Sequence, residues 1–108
     1  MDWLKLEIYI PESHFPALQK ALQSADAGHI GNYDSCLSYS RVKGTWRPLQ
    51  GARPYIGEEG TVSEAEELKV EVNVRIDKLD STLRAIRNVH PYKEPVINVI
   101  PLYAFGAR

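Results

Sequence analysis

One cysteine, one methionine and three histidines are all the soft or borderline metal ligands that 108 residues supply. Cys36 has no second thiol to pair with, which excludes an internal disulfide and a thiolate metal centre within one chain. Such sparing use of cysteine fits a reducing compartment, so a cytoplasmic location is expected. An excess of one charge is lacking too: thirteen Lys and Arg stand against fourteen Asp and Glu, a formal net charge of -1. No global field then draws the chain to nucleic acid or to an anionic membrane, and neither is an expected partner. No apolar run approaches the roughly 20 residues of a membrane span. The opening MDWLKLEIYI alternates polar with apolar residues, where a signal peptide would need a continuous apolar core. Internal repeats and low-complexity segments are absent.

What the chain does have is periodicity. Leu4, Leu6, Ile8 and Ile10 alternate with polar residues up to Pro11, which predicts a strand with one buried face. Ser13 is a candidate cap for a helix whose Phe15, Leu18, Leu22 and Ala25 share a face, with Pro16 in the first turn and Gly28 as a left-handed stop. Alternation resumes over 33–39, and Lys43-Gly44 reads as a turn into Thr45, Trp46 and Arg47, together a long bent strand or hairpin arm. The stretch 48–66 holds two prolines, three glycines and four glutamates and is expected to be a long loop, a kind of segment usually functional or mobile. Leu68, Val70, Val72, Val74 and Ile76 give the cleanest strand pattern. A second helix follows, capped at Asp80 or Ser81, with Leu83, Ile86 and Val89 on one face and Pro91 as its stop. A last strand spans 96–100.

The order strand, helix, strand, strand, helix, strand predicts one α+β domain over 1–108. It is the ferredoxin-like βαββαβ pattern, with two helices on one face of a four-stranded antiparallel sheet. The other face is left uncovered. Tyr9, Tyr33 and Tyr39 are expected to point from it, and self-association would bury them.

Three motifs occur in order: GHIGNYDSC from Gly28, GTWRP from Gly44 and GARPYIG from Gly51. With HPYKEP from His90, they resemble the inserted domain of the Nif-three-like (YqfO) family, here standing alone. HPYKEPVINVIPL also resembles the strand entry of CutA proteins, which share a PII-like architecture. The resemblance covers roughly residues 4–103. It implies a ferredoxin-like, PII/CutA-like subunit that forms a homotrimer, with ligand clefts between neighbours. It implies no enzyme: the metal-binding residues of full-length members lie in flanking domains, and no HxxHD-like segment occurs in these 108 residues. Lys93 stands where the family usually has a second acidic residue.

The residues themselves leave several roles open. His90, before Pro91, reads as a helix end favoured by the dipole, or with Glu94 as part of a metal site. A divalent metal ion is the cofactor such a pair suggests, but two ligands are too few, so a neighbouring subunit would have to complete the set. His29 reads as a helix-end histidine or a second contributor to such a site, and His14 as surface decoration. Asp34 is expected either to pair with Arg47 or Arg53 or to approach a cation. Cys36 is expected in the core. His29, Asp34, Arg47, Arg53, Tyr55 and Tyr92 are the candidate ligand-binding residues; the loop with Arg47, Arg53 and Tyr55 could cradle an anion through its guanidinium groups and backbone N–H groups, though it lacks the spacing of a phosphate-binding glycine-rich loop. Trp46 and Tyr55 read equally well as an interface clamp. No nucleophile–base pair can be named. The expected function is therefore a non-catalytic trimeric binding or regulatory module, against the alternatives of a metal-dependent hydrolase using inter-subunit clefts and of a purely structural assembly unit.

Overall fold

Alternating apolar residues do build the two central strands. The computed structural model, which describes residues 2–106, contains strands β1 (Trp3–Ile10), β2 (Leu37–Trp46), β3 (Ser63–Arg75) and β4 (Ile97–Pro101) and helices α1 (Phe15–Ser24) and α2 (Leu79–Val89). All strand pairs are antiparallel, in the spatial order β2-β3-β1-β4. This is the ferredoxin-like α+β arrangement. The register sets Leu6 opposite Val72 and Ile8 opposite Val70, so the apolar residues of β1 and β3 share one face. Leu18 and Leu22 of α1 and Ile86 of α2 close over it, all at most 1% exposed. Each such side chain stabilises the fold by about 1.5–3 kcal/mol relative to an exposed one.

The opposite face is polar rather than apolar. Lys5 pairs with Glu71 at 3.0 Å and Lys69 with Glu7 at 3.6 Å, and Asn98 donates to Glu7 at 3.3 Å. Tyr9 does lie on this face. Tyr39 does not: it sits opposite core residue Val70 and packs on Phe15, ring centroids 4.6 Å apart, on the helix side. Tyr33 lies in the connection before β2, not on the sheet.

Several boundaries differ from expectation, each for a local reason. Ser13 does not cap α1. Its hydroxyl bonds the neighbouring His14 ring, and Pro11 starts a 3-10 turn at Glu12–His14 that runs into the helix. Asp26, not Gly28, supplies the left-handed residue that ends α1, at φ 64°. Its N–H reaches the Gln23 carbonyl and that of Ala27 reaches Leu22, the paired bonds of a Schellman turn. Gly28, at φ 77°, has another duty: it donates to Asn73 and accepts from Cys36, and a Cβ there would lie 2.6 Å from the Cys36 carbonyl oxygen.

Residues 43–44 make no turn. β2 runs straight through Gly44 to Trp46 while β3 starts at Ser63, forming a long two-stranded arm, so the loop is confined to 47–62. The charged run Glu64 to Glu67 hides this strand from sequence reading, because an arm solvated on both faces needs no apolar alternation. α2 begins at Leu79, ahead of Asp80 and Ser81. Thr82, fully buried, donates to the Lys78 carbonyl at 2.7 Å. Cys36 is half-buried outside the core cluster, its thiol directed at the Asp34 carbonyl. At the far end of the sheet, Trp3 stacks edge-on against Phe105 at 4.9 Å with the Arg75 guanidinium above its ring.

Candidate functional site

Where the arm leaves the sheet, its loop folds back over the polar face and meets the segment after α2. Between them lies a cleft of about 990 Å³. Val42, Gly44 and Trp46 lie on its face of β2, because the odd residues Leu37 and Tyr39 pair with the core side of β3, while Lys43 and Thr45 border it along the arm. Trp46 at the end of β2, Tyr55 of the loop and Tyr92 of HPYKEP form one aromatic wall. Tyr92 lies 6.3 Å from Trp46 and 6.0 Å from Tyr55 between ring centroids. The wall is pinned: the Trp46 indole N–H donates to the Ile56 carbonyl at 2.9 Å, and His14 meets Tyr55 edge-on at 5.9 Å. His14 is thus part of the scaffold of the cleft rather than surface decoration.

The lining carries five basic residues, Lys43, Arg47, Arg53, Lys69 and Lys93, against two acidic ones, Glu67 and Glu94. Glu67 is the unusual member, only 8% exposed and with no ion-pair partner among the described residues. Tyr92 donates its hydroxyl to Glu67 Oε2 at 3.3 Å, while Oε1 lies over the Cα of Gly44. A Cβ at that position would displace the carboxylate. Burial raises the Glu67 carboxyl above its ordinary range, against the lowering effect of the Tyr92 hydrogen bond. Burial also pushes the Tyr92 phenol up to about 12, with the Glu67 charge adding to the effect.

The structure brings Arg47, Arg53, Tyr55, Tyr92 and Glu94 to this cleft. His90 adjoins it but faces inward. Tyr92 N–H donates to its Nδ1 at 3.1 Å, so Nε2 carries the proton and donates to the Tyr9 carbonyl at 2.6 Å. Burial holds the imidazole below its ordinary pKa. Both nitrogens are committed to backbone, which leaves no lone pair for a metal, and among the described residues no three His, Cys, Asp or Glu side chains gather as a metal-like cluster. The metal role expected of His90 therefore gives way to that of a bolt between the HPYKEP corner and β1.

His29 and Asp34 are elsewhere. His29 sits beyond α1 beside Asp26, at 2.7 Å, and Asp26 in turn pairs with Lys78 just before α2. The 11 residues of α2, about 16 Å of helix, separate that group from His90. Its other nitrogen faces the Gly31 carbonyl at 3.0 Å, so only the imidazolium satisfies both acceptors, and the Asp26 bond raises its pKa. Asp34 precedes β2 and accepts from Ser35, whereas Arg47 and Arg53 lie past the other end of that 10-residue strand, about 30 Å away. The expected pairing of Asp34 with either arginine does not form within the chain.

Glu67 was not singled out by sequence, since alternation places it on the polar face without saying what covers it. Its one signal was Gly44: a glycine inside a strand marks a close approach by another group.

No protein-family model matches the chain. Over 98 residues, 91% of the chain, it is 39% identical to a GTP cyclohydrolase 1 type 2 homolog of Halalkalibacterium halodurans, of which this region makes up 26%. The crystal structure of a Bacillus cereus protein related to NIF3 superposes with a TM-score of 0.84 at 31% identity, covering 95% of this chain and 26% of that one. The periplasmic divalent cation tolerance protein CutA from Archaeoglobus fulgidus superposes with a TM-score of 0.71 at 19% identity, covering 95% and 86%, a likeness of fold. The chain spans about a quarter of the length of the curated relatives it matches. By sequence and fold together, the chain is similar over nearly its whole length to one region of the GTP cyclohydrolase 1 type 2 homologs, and its fold matches that of a region of a protein related to NIF3.

Proposed function

We propose that this domain is a non-catalytic, trimeric regulatory module that receives a small anionic organic ligand in the cleft between the arm loop and HPYKEP. The observation that carries this reading is the lining itself: an aromatic wall for a flat group, with basic residues outnumbering acidic ones around it. Arginine forks hold carboxylate or phosphate oxygens in two directions at once, and Arg47 and Arg53 are both exposed to do so. The reaction in the relatives' name is not transferred. The matched region is about a quarter of those proteins, so the activity of the whole protein is not carried over to it.

Assembly is supported by the two sheet edges. β4 is an edge strand in an uncharged stretch, 96–107, with Val99 and Ile100 exposed, whereas edges are ordinarily guarded by charge. The opposite edge, β2, is twice as long and carries Arg41 and Lys43. Unlike edges make head-to-tail contacts, and head-to-tail contacts that close give rings.

The test is a melting-temperature screen with mononucleotides, sugar phosphates and dicarboxylates, with the Arg47→Ala, Arg53→Ala double variant in parallel. At about 100 times its Kd a ligand adds about 2.7 kcal/mol, a shift of several degrees in a domain of this size. At least one anionic class is expected to raise the melting temperature of the native protein and not of the variant. No shift with any member sinks the reading.

A further inference from the structure

The cleft holds one feature that a site built only for an anion would not have. At its floor, between β2 and β3, lies Glu67, a residue only 8% exposed whose carboxylate has no ion-pair partner among the described residues; Tyr92 donates to Oε2, and Oε1 lies against Gly44. Oε1 is not sealed away from the cleft, so a donor that enters can reach it, and a hydrogen bond made at such a sheltered carboxylate counts for more than one in open water. None of the five cations of the lining forms an ion pair with Glu67: Lys69 is turned to Glu7, and Lys43, Arg47, Arg53 and Lys93 are exposed. Glycine at position 44 lets Oε1 rest against the strand, whereas a Cβ there would push the carboxylate from its place. The aromatic wall of Trp46 and Tyr92 stands next to it, Tyr92 touching both the wall and Glu67.

Building on the function proposed above, we infer that Glu67 is the specificity-determining residue of the cleft and selects flat rings that present adjacent N–H donors at the end opposite their anionic group. The polarity of the site dictates that arrangement: acceptor at the floor, aromatic wall alongside, cations around the outer loop. A carboxylate takes two neighbouring N–H groups in one plane, the pattern of a ring amide N–H beside an exocyclic amino group. A ring edge that offers an acceptor in that place meets the carboxylate lone pairs and is rejected, by the same logic that makes a hydrogen-bonding pocket discriminate far better than an apolar one. Donors arriving at Glu67 also favour its ionised form, so binding strengthens as pH rises through the raised pKa of this group.

Three mononucleotides separate these possibilities by calorimetric titration. GMP offers two adjacent donors, IMP one, and AMP an acceptor at the corresponding ring position, all with the same phosphate. The expected order is GMP, then IMP, then AMP, with GMP at least about tenfold tighter than AMP. Glu67→Gln, which keeps the size but replaces one acceptor with a donor, is expected to bring the GMP to AMP ratio close to one and to abolish the pH dependence. Gly44→Ala, which displaces the carboxylate without removing it, is expected to lower the ratio as well, and circular dichroism melts of both variants check that they are folded. Equal binding of GMP and AMP, or a ratio that survives Glu67→Gln, overturns the role of Glu67 and leaves the anion cleft standing. Failure of all three, and of every other anion in the melting screen, overturns both.

Discussion

Two histidines sit in opposite electrostatic situations. His90 is neutral by construction, one nitrogen accepting from Tyr92 and the other donating to Tyr9, and burial depresses its pKa. A depressed native pKa means that its contribution is complete above the unfolded value, about 6.5, and is lost as pH falls through the native one. For His29 the sign reverses. The Asp26 carboxylate raises its pKa, so its contribution is complete below about 6.5 and disappears as pH rises through the native value. Nitrogen-edited NMR titration is expected to show His29 titrating above and His90 below an ordinary histidine, with His90 in the Nε2–H tautomer. Coincident titrations would show that neither ring is held as described. At this scale the sequence was least informative. It marked His90 and His29 as notable residues, yet their partners are backbone carbonyls and an aspartate whose positions depend on the fold, and Glu67 became visible only once the arm covered it.

Among the elements, the junction where α1 returns to the sheet bears the tightest constraint. Asp26 ends the helix, and two residues later Gly28 threads between Asn73 of β3 and Cys36, using both its N–H and its carbonyl. Gly28→Ala adds a Cβ in a left-handed conformation and against a backbone oxygen that cannot swing aside. A loss of about 2–3 kcal/mol is expected in urea unfolding, against a much smaller one for Gly51→Ala, which meets no atom within 4 Å though its φ is also positive. Similar losses at the two positions would show that conformational strain alone sets the cost. Elements that bury an apolar stripe, β1, α1, α2 and the inner part of β3, were legible from the sequence because burial enforces period. The arm was not: Lys43 to Trp46 and Ser63 to Glu66 are held by their mutual ladder, and nothing in a charged run records a partner strand.

For the whole molecule, the arm gives the chain extents of 47 × 26 × 23 Å and a radius of gyration of 14.8 Å, above the roughly 13 Å of a compact domain of this length. A projecting arm at one edge and an uncharged strand at the other make the isolated subunit look unfinished. Light scattering coupled to size exclusion is expected to return three times the chain mass, and the Val99→Lys, Ile100→Lys double variant to return the mass of one chain. A monomeric native protein would remove the ring from the proposed function and leave the cleft to be judged alone. The fold was readable in outline because the order of elements restricts the topology. Where the cleft sits was not, since it depends on how far the arm extends before its loop turns back.

The positions of the two indoles have a practical consequence. Trp3 is fixed against Phe105 at one end of β3, and Trp46 stands in the cleft wall opposite Ser63 at its other end, about 40 Å away along the strand. Replacing Trp3 with Phe leaves a single tryptophan, excitable apart from the tyrosines at the red edge of its absorption, whose N–H bond to Ile56 ties its emission to the posture of the loop. The domain thus carries a built-in optical gauge in the wall of the cleft, and the approach of any ring to that wall can be followed by light alone, without a label.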